Sequence, residues 1–314
     1  MLPHSGPTTP DVVCTGVKCI PPLSFKAGVA ENITDDPLAC IREAAETAKP
    51  DLVQEAQLCI VTPRGILEWA DPLIKGLRQG LGEDFPIFGG CAGDQYRFKA
   101  TYQFQNNKVF TDAVPFLLLS GPLLYSFGIE SGWVPIGERA KVTEADKNTV
   151  SKIGDRSAVE FSGHYLGEGD LEFMREYPFA VFEDDSESFH LASARTYDAE
   201  RGGIVFDSTI AEGAAVQIAH TSRDQIIEAA KKSVDSALTE YPGSKPSVAI
   251  CFSCSARKEI LGTRVEEEYQ ALKSEFPSLP IAGYYTYGEI GPLDKGKPCR
   301  FHNMTFVTLL IGTE

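Results

Sequence analysis

The 314-residue chain carries 43% hydrophobic and 23% charged residues, the composition of a globular protein long enough to build two cores. Its formal net charge of −15 repels phosphate backbones and anionic headgroups, which argues against nucleic-acid or membrane partners. No apolar run reaches the roughly 18 residues of a membrane span, and Met1–Pro10 lacks a signal-peptide core, so a cytoplasmic location is expected.

Met1–Pro22 is proline-rich without a period and reads as a leader or an edge segment. Asp35-Asp36-Pro37 marks a helix start, with Pro37 at the first helical position. Leu38, Ile41, Ala44, Ala45 and Ala48 follow at helical spacing. Leu58–Val61 reads as a strand, Thr62–Gly65 as a turn, 66–80 as a helix, and Pro86–Asp94 as a strand end with a tight turn. From 100 to 145 the pattern is antiparallel, with a hairpin at Asn106-Asn107, whose side chains tolerate positive φ. Phe116–Leu119 and Tyr125–Ile129 extend that sheet, and Ser157–Leu166 is a short helix. Strands are expected at Phe179–Glu183, Phe189–Ala194, Gly203–Phe206 and Ala214–His220, then a helix over Asp224–Leu238. A strand over Val248–Phe252, a helix over 264–275 and a terminal strand over Phe306–Ile311 complete the chain.

One phrase occurs twice. Pro86-Ile87-Phe88-Gly89-Gly90 and Pro280-Ile281-Ala282-Gly283-Tyr284 each follow a strand, a turn, a helix and an acidic-aromatic approach. We read an internal duplication: a leader over 1–22, a first half over 23–167 and a second over 168–314. The expected fold is α/β, mixed sheets with helical cover, and two related halves commonly enclose a shared cleft.

Several stretches resemble the FIST family (F-box and intracellular signal transduction). They are Phe85–Asp94, Gly132–Gly137 with Val142-Thr143, Cys251–Arg257, Gly283–Pro292 and Phe301-His302-Asn303-Met304-Thr305. The resemblance runs from about residue 57 to the C-terminus and implies FIST N-like and FIST C-like domains. It implies an intracellular sensory protein binding a small ligand such as an amino acid. Some stand-alone members are similar to haem-binding nitric oxide sensors that regulate a separate histidine kinase or cyclic-di-GMP enzyme. No F-box precedes the FIST-like region, so a ubiquitin-ligase role is not implied. The family's usual first strand–helix block reads as shortened or replaced before residue 57.

Candidate site residues follow from loops at strand ends, where α/β proteins bind ligands. Arg64 and Arg257 are candidates to grip a carboxylate bidentately, and Asp94 and Glu289 to receive an ammonium. Gly89, Gly90 and Gly288 permit close backbone approach, Tyr285 and Tyr287 are candidate pocket walls, and Cys254 lies near Arg257. His302 belongs to the family-like motif and is a further ligand-binding candidate, or else caps or bridges backbone. If the cofactor is haem, His220 and His190 are the candidate axial ligands. Cys251-Phe252-Ser253-Cys254 has no second pair, so no metal site is expected. No hydrolase, zinc-protease or phosphate-loop motif occurs, and the sensor is read as not an enzyme. The alternatives are a hydrolase or transferase using Cys91 or Cys254, and an interaction scaffold. The stretch around Trp133 and the exposed side of the 224–238 helix are expected partner surfaces.

Overall fold

A computed structural model describes residues 23–314 except 50, 51, 53, 69, 168–175, 183–186 and 199–201. The leader expected over 1–22 lies outside the described residues. Two sheets carry the duplication. The first runs β1 (Ser24–Glu31), β6 (Ala113–Ser120), β2 (Ala56–Val61), β3 (Ile87–Gly90), β18 (Glu289–Pro292), β19 (Cys299–His302). The second runs β17 (Ile281–Thr286), β16 (Val248–Cys254), β20 (Phe306–Gly312), β7 (Leu124–Glu130).

In the first sheet β2 pairs parallel with β3 and antiparallel with β6, which pairs antiparallel with β1. In the second, β16 pairs parallel with β17 and antiparallel with β20, which pairs antiparallel with β7. So β1, β2, β3 and β6 repeat as β7, β16, β17 and β20. The copies are then sewn together, because β18 crosses from the second copy to pair with β3, Glu289 opposite Gly90.

Helices α1 (Pro37–Ala48) and α2 (Asp71–Leu81) cover the outer face of the first sheet, burying Ile41, Leu73 and Leu77 against Cys59 and Val61. Asp36 caps α1 by accepting from the Ala39 amide at 3.0 Å, and Pro37 opens it. On the other face of β2, Leu58 packs with Phe88 and Leu119 against Phe252, Val307 and Leu309 of the second sheet. The sheets therefore stack face to face with helices outside. Buried on both faces, their central strands are runs of apolar residues rather than alternations.

Between β7 and its following helix the second copy inserts a third sheet. It runs β12 (Phe189–Ala192), β11 (Phe179–Phe182), β15 (Ala215–His220), β8 (Val134–Asp146), β9 (Thr149–Ile153), β14 (Gly203–Phe206), β13 (Ala194–Asp198), with β10 (Arg156–Ser157) on β9. A short helix α3 (Ala158–Leu166) lies within this insertion, started by a capping box between Ser157 and Glu160. After it, α4 (Arg223–Thr239), α5 (Ser255–Leu261) and α6 (Val265–Glu275) serve the second copy, with Val234 and Leu272 packed against Ala249 and Leu310. A separate hairpin, β4 (Gln103–Gln105) and β5 (Lys108–Phe110), turns at Asn106, whose φ is +52°.

Four expectations are corrected. A strand–helix block does precede residue 57, as β1 and α1. The helix expected over 66–80 begins only at Asp71, with Pro72 in its first turn, which leaves 65–68 free to border the cleft. The helix expected over 264–275 is preceded by α5, unforeseen. Trp133 is 3% exposed and its indole donates to the Glu176 carbonyl at 3.2 Å, so its ring is core rather than partner surface.

Candidate functional site

Strand ends of both copies open onto one cavity of about 950 Å3. Arg64 and Glu68 follow β2, Tyr96 and Phe98 follow β3, Cys254 ends β16, and Tyr287 follows β17. The segment Ile33–Leu38 entering α1, Asn303-Met304 before β20, and Ser193–Arg195 with Asp207 from the third sheet complete the wall.

The cations on the wall are partly engaged. Arg64 donates to Thr34 Oγ1 and Asp112 Oδ1, both at 2.7 Å, while its Nε is buried without a hydrogen-bond partner among the described residues. Burial raises the Asp112 carboxyl, but hydrogen bonds from Arg64 and Thr34 outweigh it and hold the group low. Arg195 places Nε 3.2 Å from Asp207 Oδ1 and donates to the Glu68 carbonyl at 2.6 Å. Asn303 donates to Asp207 at 3.3 Å and accepts from the Ser193 amide at 3.2 Å, tying the third sheet to the turn before β20.

An aromatic wall hangs on one carboxylate. Asp94 accepts from the amides of Phe98, Lys99 and Ala100 at 2.9, 2.8 and 3.2 Å and from Tyr287 Oη at 2.6 Å. Burial raises its pKa, yet those four donors prevail and lower it. The loop it holds has Gln95, Tyr96 and Phe98 at φ of +59°, +59° and +47°. Non-glycine residues reach that region at a cost of order 1–3 kcal/mol each, and such strain concentrates at ligand clamps. The Phe98 ring stacks on Tyr287, centroids 4.9 Å apart, and the Tyr96 amide donates to Tyr287 Oη.

Residues 6–156 match the FIST N domain and residues 158–292 the FIST C domain. The chain belongs to the FIST family. The match begins at residue 6, well before the residue 57 at which the resemblance was read. FIST domains are associated with signal transduction and proposed small-ligand sensing. No curated protein matches the chain.

Of the residues expected at a FIST site, the cavity gathers Arg64, Cys254 and Tyr287. Arg257 does not line it. Its side chain is fully buried, with Nε 2.9 Å from Glu268 Oε1 and the remaining nitrogens donating to the carbonyls of Ser131 and Ile226. Glu268 Oε2 also accepts from Ser253 Oγ at 3.0 Å and Tyr285 Oη at 2.9 Å, so Tyr285 braces this ion pair rather than the cleft. The carboxylate that Arg257 grips is thus the protein's own. Asp94 stands outside the lining, as does Glu289, which is fully buried at the seam of the copies. Glu289 accepts from the Thr305 amide at 3.1 Å, from Thr305 Oγ1 at 2.7 Å, and from Thr286 Oγ1.

The glycines serve strand packing. A Cβ on Gly89 would lie 1.9 Å from the Val61 carbonyl oxygen, one on Gly90 2.3 Å from Thr286 Cγ2, and one on Gly288 2.0 Å from the Phe301 ring. His302, also a ligand-binding candidate, does not line the cavity; its Nε2 lies 2.9 Å from the Gly291 carbonyl, and burial lowers its pKa to about 3. Neither haem candidate lines the cavity: His190 lies on β12, 3.4 Å from Arg300, and His220 ends β15 opposite Val134. Burial pushes the thiols of Cys91 and Cys254 well up, although Arg257 opposes the effect at Cys254.

Sequence reasoning missed Tyr96, Phe98, Arg195 and Asp207. Asp35-Asp36-Pro37 was read only as a helix start, and Asn303-Met304 was visible within the family-like motif. Arg195 and Asp207 arrive from the inserted sheet and carried no local signal.

Proposed function

We propose that this FIST protein is a cytoplasmic signalling sensor that binds an amino-acid-like ligand between its two copies. The observation that carries this reading is the cavity of about 950 Å3, walled by strand ends of both copies and by the third sheet. Sites for small molecules occupy roughly 300–1,000 Å3, are mostly apolar and carry a few placed charges. Arg64 keeps one buried Nε–H without a partner among the described residues, a donor suited to a ligand carboxylate. Asp35, Glu68 and Glu259 on the same wall suit an ammonium. Phe98 and Tyr287 offer an aromatic face to an apolar side chain.

Because three bodies of structure meet at this wall, a ligand that prefers one arrangement shifts their relative populations. The signal then passes by contact to a separate signalling protein. An amino-acid-like ligand is favoured over haem because neither candidate axial histidine, His190 nor His220, lines the wall. Binding is favoured over cysteine chemistry because the Cys254 thiol, at the cavity edge, is held protonated by burial.

Thermal-shift measurements against the amino acids and their dipeptides test the reading. A ligand at 100 times its Kd adds about 2.7 kcal/mol of stability, and Arg64→Met is expected to abolish that gain. If no compound stabilises the wild type, or the shift survives intact in Arg64→Met, the reading is wrong.

A further inference from the structure

The hairpin that follows the aromatic wall faces the solvent with the side chains usually kept inside. Thr101 and Gln103 are buried at 3% and 2% exposure, whereas Tyr102 and Phe104 are exposed at 56% and 53%. Val109, the register partner of Phe104, is exposed at 61%. Successive strand residues face opposite sides, so a slip of one position would bury both rings and expose both polar groups. The hairpin holds the other register. Thr101 Oγ1 accepts from the Gly65 amide at 2.9 Å and from Gln103 Nε2 at 3.3 Å, while Gln103 Oε1 stays buried without a partner among the described residues. A fold that leaves a buried carbonyl unmet while keeping aromatics in water holds those aromatics out for contact.

The charge around this hairpin runs against the rest of the molecule. Residues 95–110 contain Arg97, Lys99 and Lys108 and no carboxylate, in a chain of 44 acidic and 29 basic residues. All three basic side chains are exposed; Lys108, paired with Gln105, lies on the opposite pleat from Phe104 and Val109 and flanks their face at the turn end. We propose that the exposed face of β4 and β5 is the docking surface for a signalling partner, a protein presenting apolar groups flanked by carboxylates. A second copy of this chain fits poorly, because two-fold pairing would set Lys108 and Lys99 against themselves. Residues 1–22 offer one carboxylate, Asp11, and do not supply the complementary charge.

The surface is wired to the cavity at its root. Phe98 lines the cavity and stacks on Tyr287, and the amides of 98–100 hang on Asp94 immediately before β4. A ligand that moves Tyr287 therefore moves the base of the docking hairpin. That coupling rests on the proposed ligand reading; the docking itself does not.

The test places a photo-reactive phenylalanine at position 104 of the full chain in the cells that produce it. A control carries it at Tyr197, 44% exposed on β13. The protein captured from position 104 is identified, purified and titrated without ligand against wild type, Phe104→Ser and Lys108→Glu at two salt concentrations. An acidic protein captured at 104 and not at 197, bound at least tenfold more weakly by each variant and more weakly in high salt, is the expected result. Both substitutions are at water-facing positions, so the variants are expected to keep the wild-type melting temperature. Adducts only to a second copy or to residues 1–22, identical captures at both positions, or unchanged affinity in Phe104→Ser would overturn the proposal. Loss of the ligand reading would leave this ligand-free binding intact, which separates the two.

Discussion

Replacing Glu289 by Gln removes a titrating group from the seam between the copies. Burial raises its pKa from 4.5 to about 7, against the opposing pull of hydrogen bonds from Thr286 and Thr305 and the charge of Arg257. The geometry has a place for the proton. Glu289 Oε1 abuts Thr286 Oγ1, which lies 3.3 Å from the Ser253 carbonyl, so a protonated carboxyl donates to Thr286 and Thr286 to Ser253. Since the folded pKa lies above the unfolded one, the contribution of this group is full below pH 4.5 and is lost as pH rises to about 7. At about 1.36 kcal/mol per unit, the displacement corresponds to a loss of about 3 kcal/mol. Urea unfolding of wild type and Glu289→Gln between pH 4.5 and 8, followed by the fluorescence of buried Trp133, reads it directly. His302, whose pKa burial lowers to about 3, acts on the acid side and is common to both proteins. The stability of the variant relative to wild type should grow by about 3 kcal/mol toward pH 8. Parallel profiles would refute the reasoning.

Arg257→Met strands the buried Glu268 with only Ser253 and Tyr285, and a loss of about 3–5 kcal/mol is expected. Adding Glu268→Leu should restore most of it, so a strictly additive double-mutant cycle would show that the two groups do not depend on each other. Gly89→Ala drives a Cβ to 1.9 Å from the Val61 carbonyl, which is backbone and cannot swing away. Denaturant titration should show a loss of at least about 1–3 kcal/mol, and an unchanged midpoint would contradict the β2–β3 geometry. Asp94→Ala frees the amides of 98–100, so hydrogen exchange there should accelerate while β2 stays protected. Unchanged exchange at 98–100 would mean the loop is held by something else.

Much of this fold was legible in local pattern. Pro37 and Asp36 announce α1, the apolar face of 224–238 announces α4, and Asn106-Asn107 announces the hairpin, because capping, periodicity and turn chemistry act within a few residues. The duplicated phrase announced two related halves, which the repeated strand order bears out. The site was less legible. Arg64 and Arg257 occupy corresponding strand ends, yet one borders the cavity and the other is buried against Glu268, a residue on a helix whose packing decides the matter.

Composition, periodicity and a repeated glycine phrase were sufficient to settle the class of fold and its two-copy plan, since those signals come from neighbours along the chain. Which charged groups meet each other and which meet the cleft was settled only when β18 crossed to β3 and the inserted sheet brought Arg195 and Asp207 to the wall. Those contacts join residues far apart in sequence, and a carboxylate or guanidinium shows no local mark of whether its partner is water, a ligand or another part of the same chain.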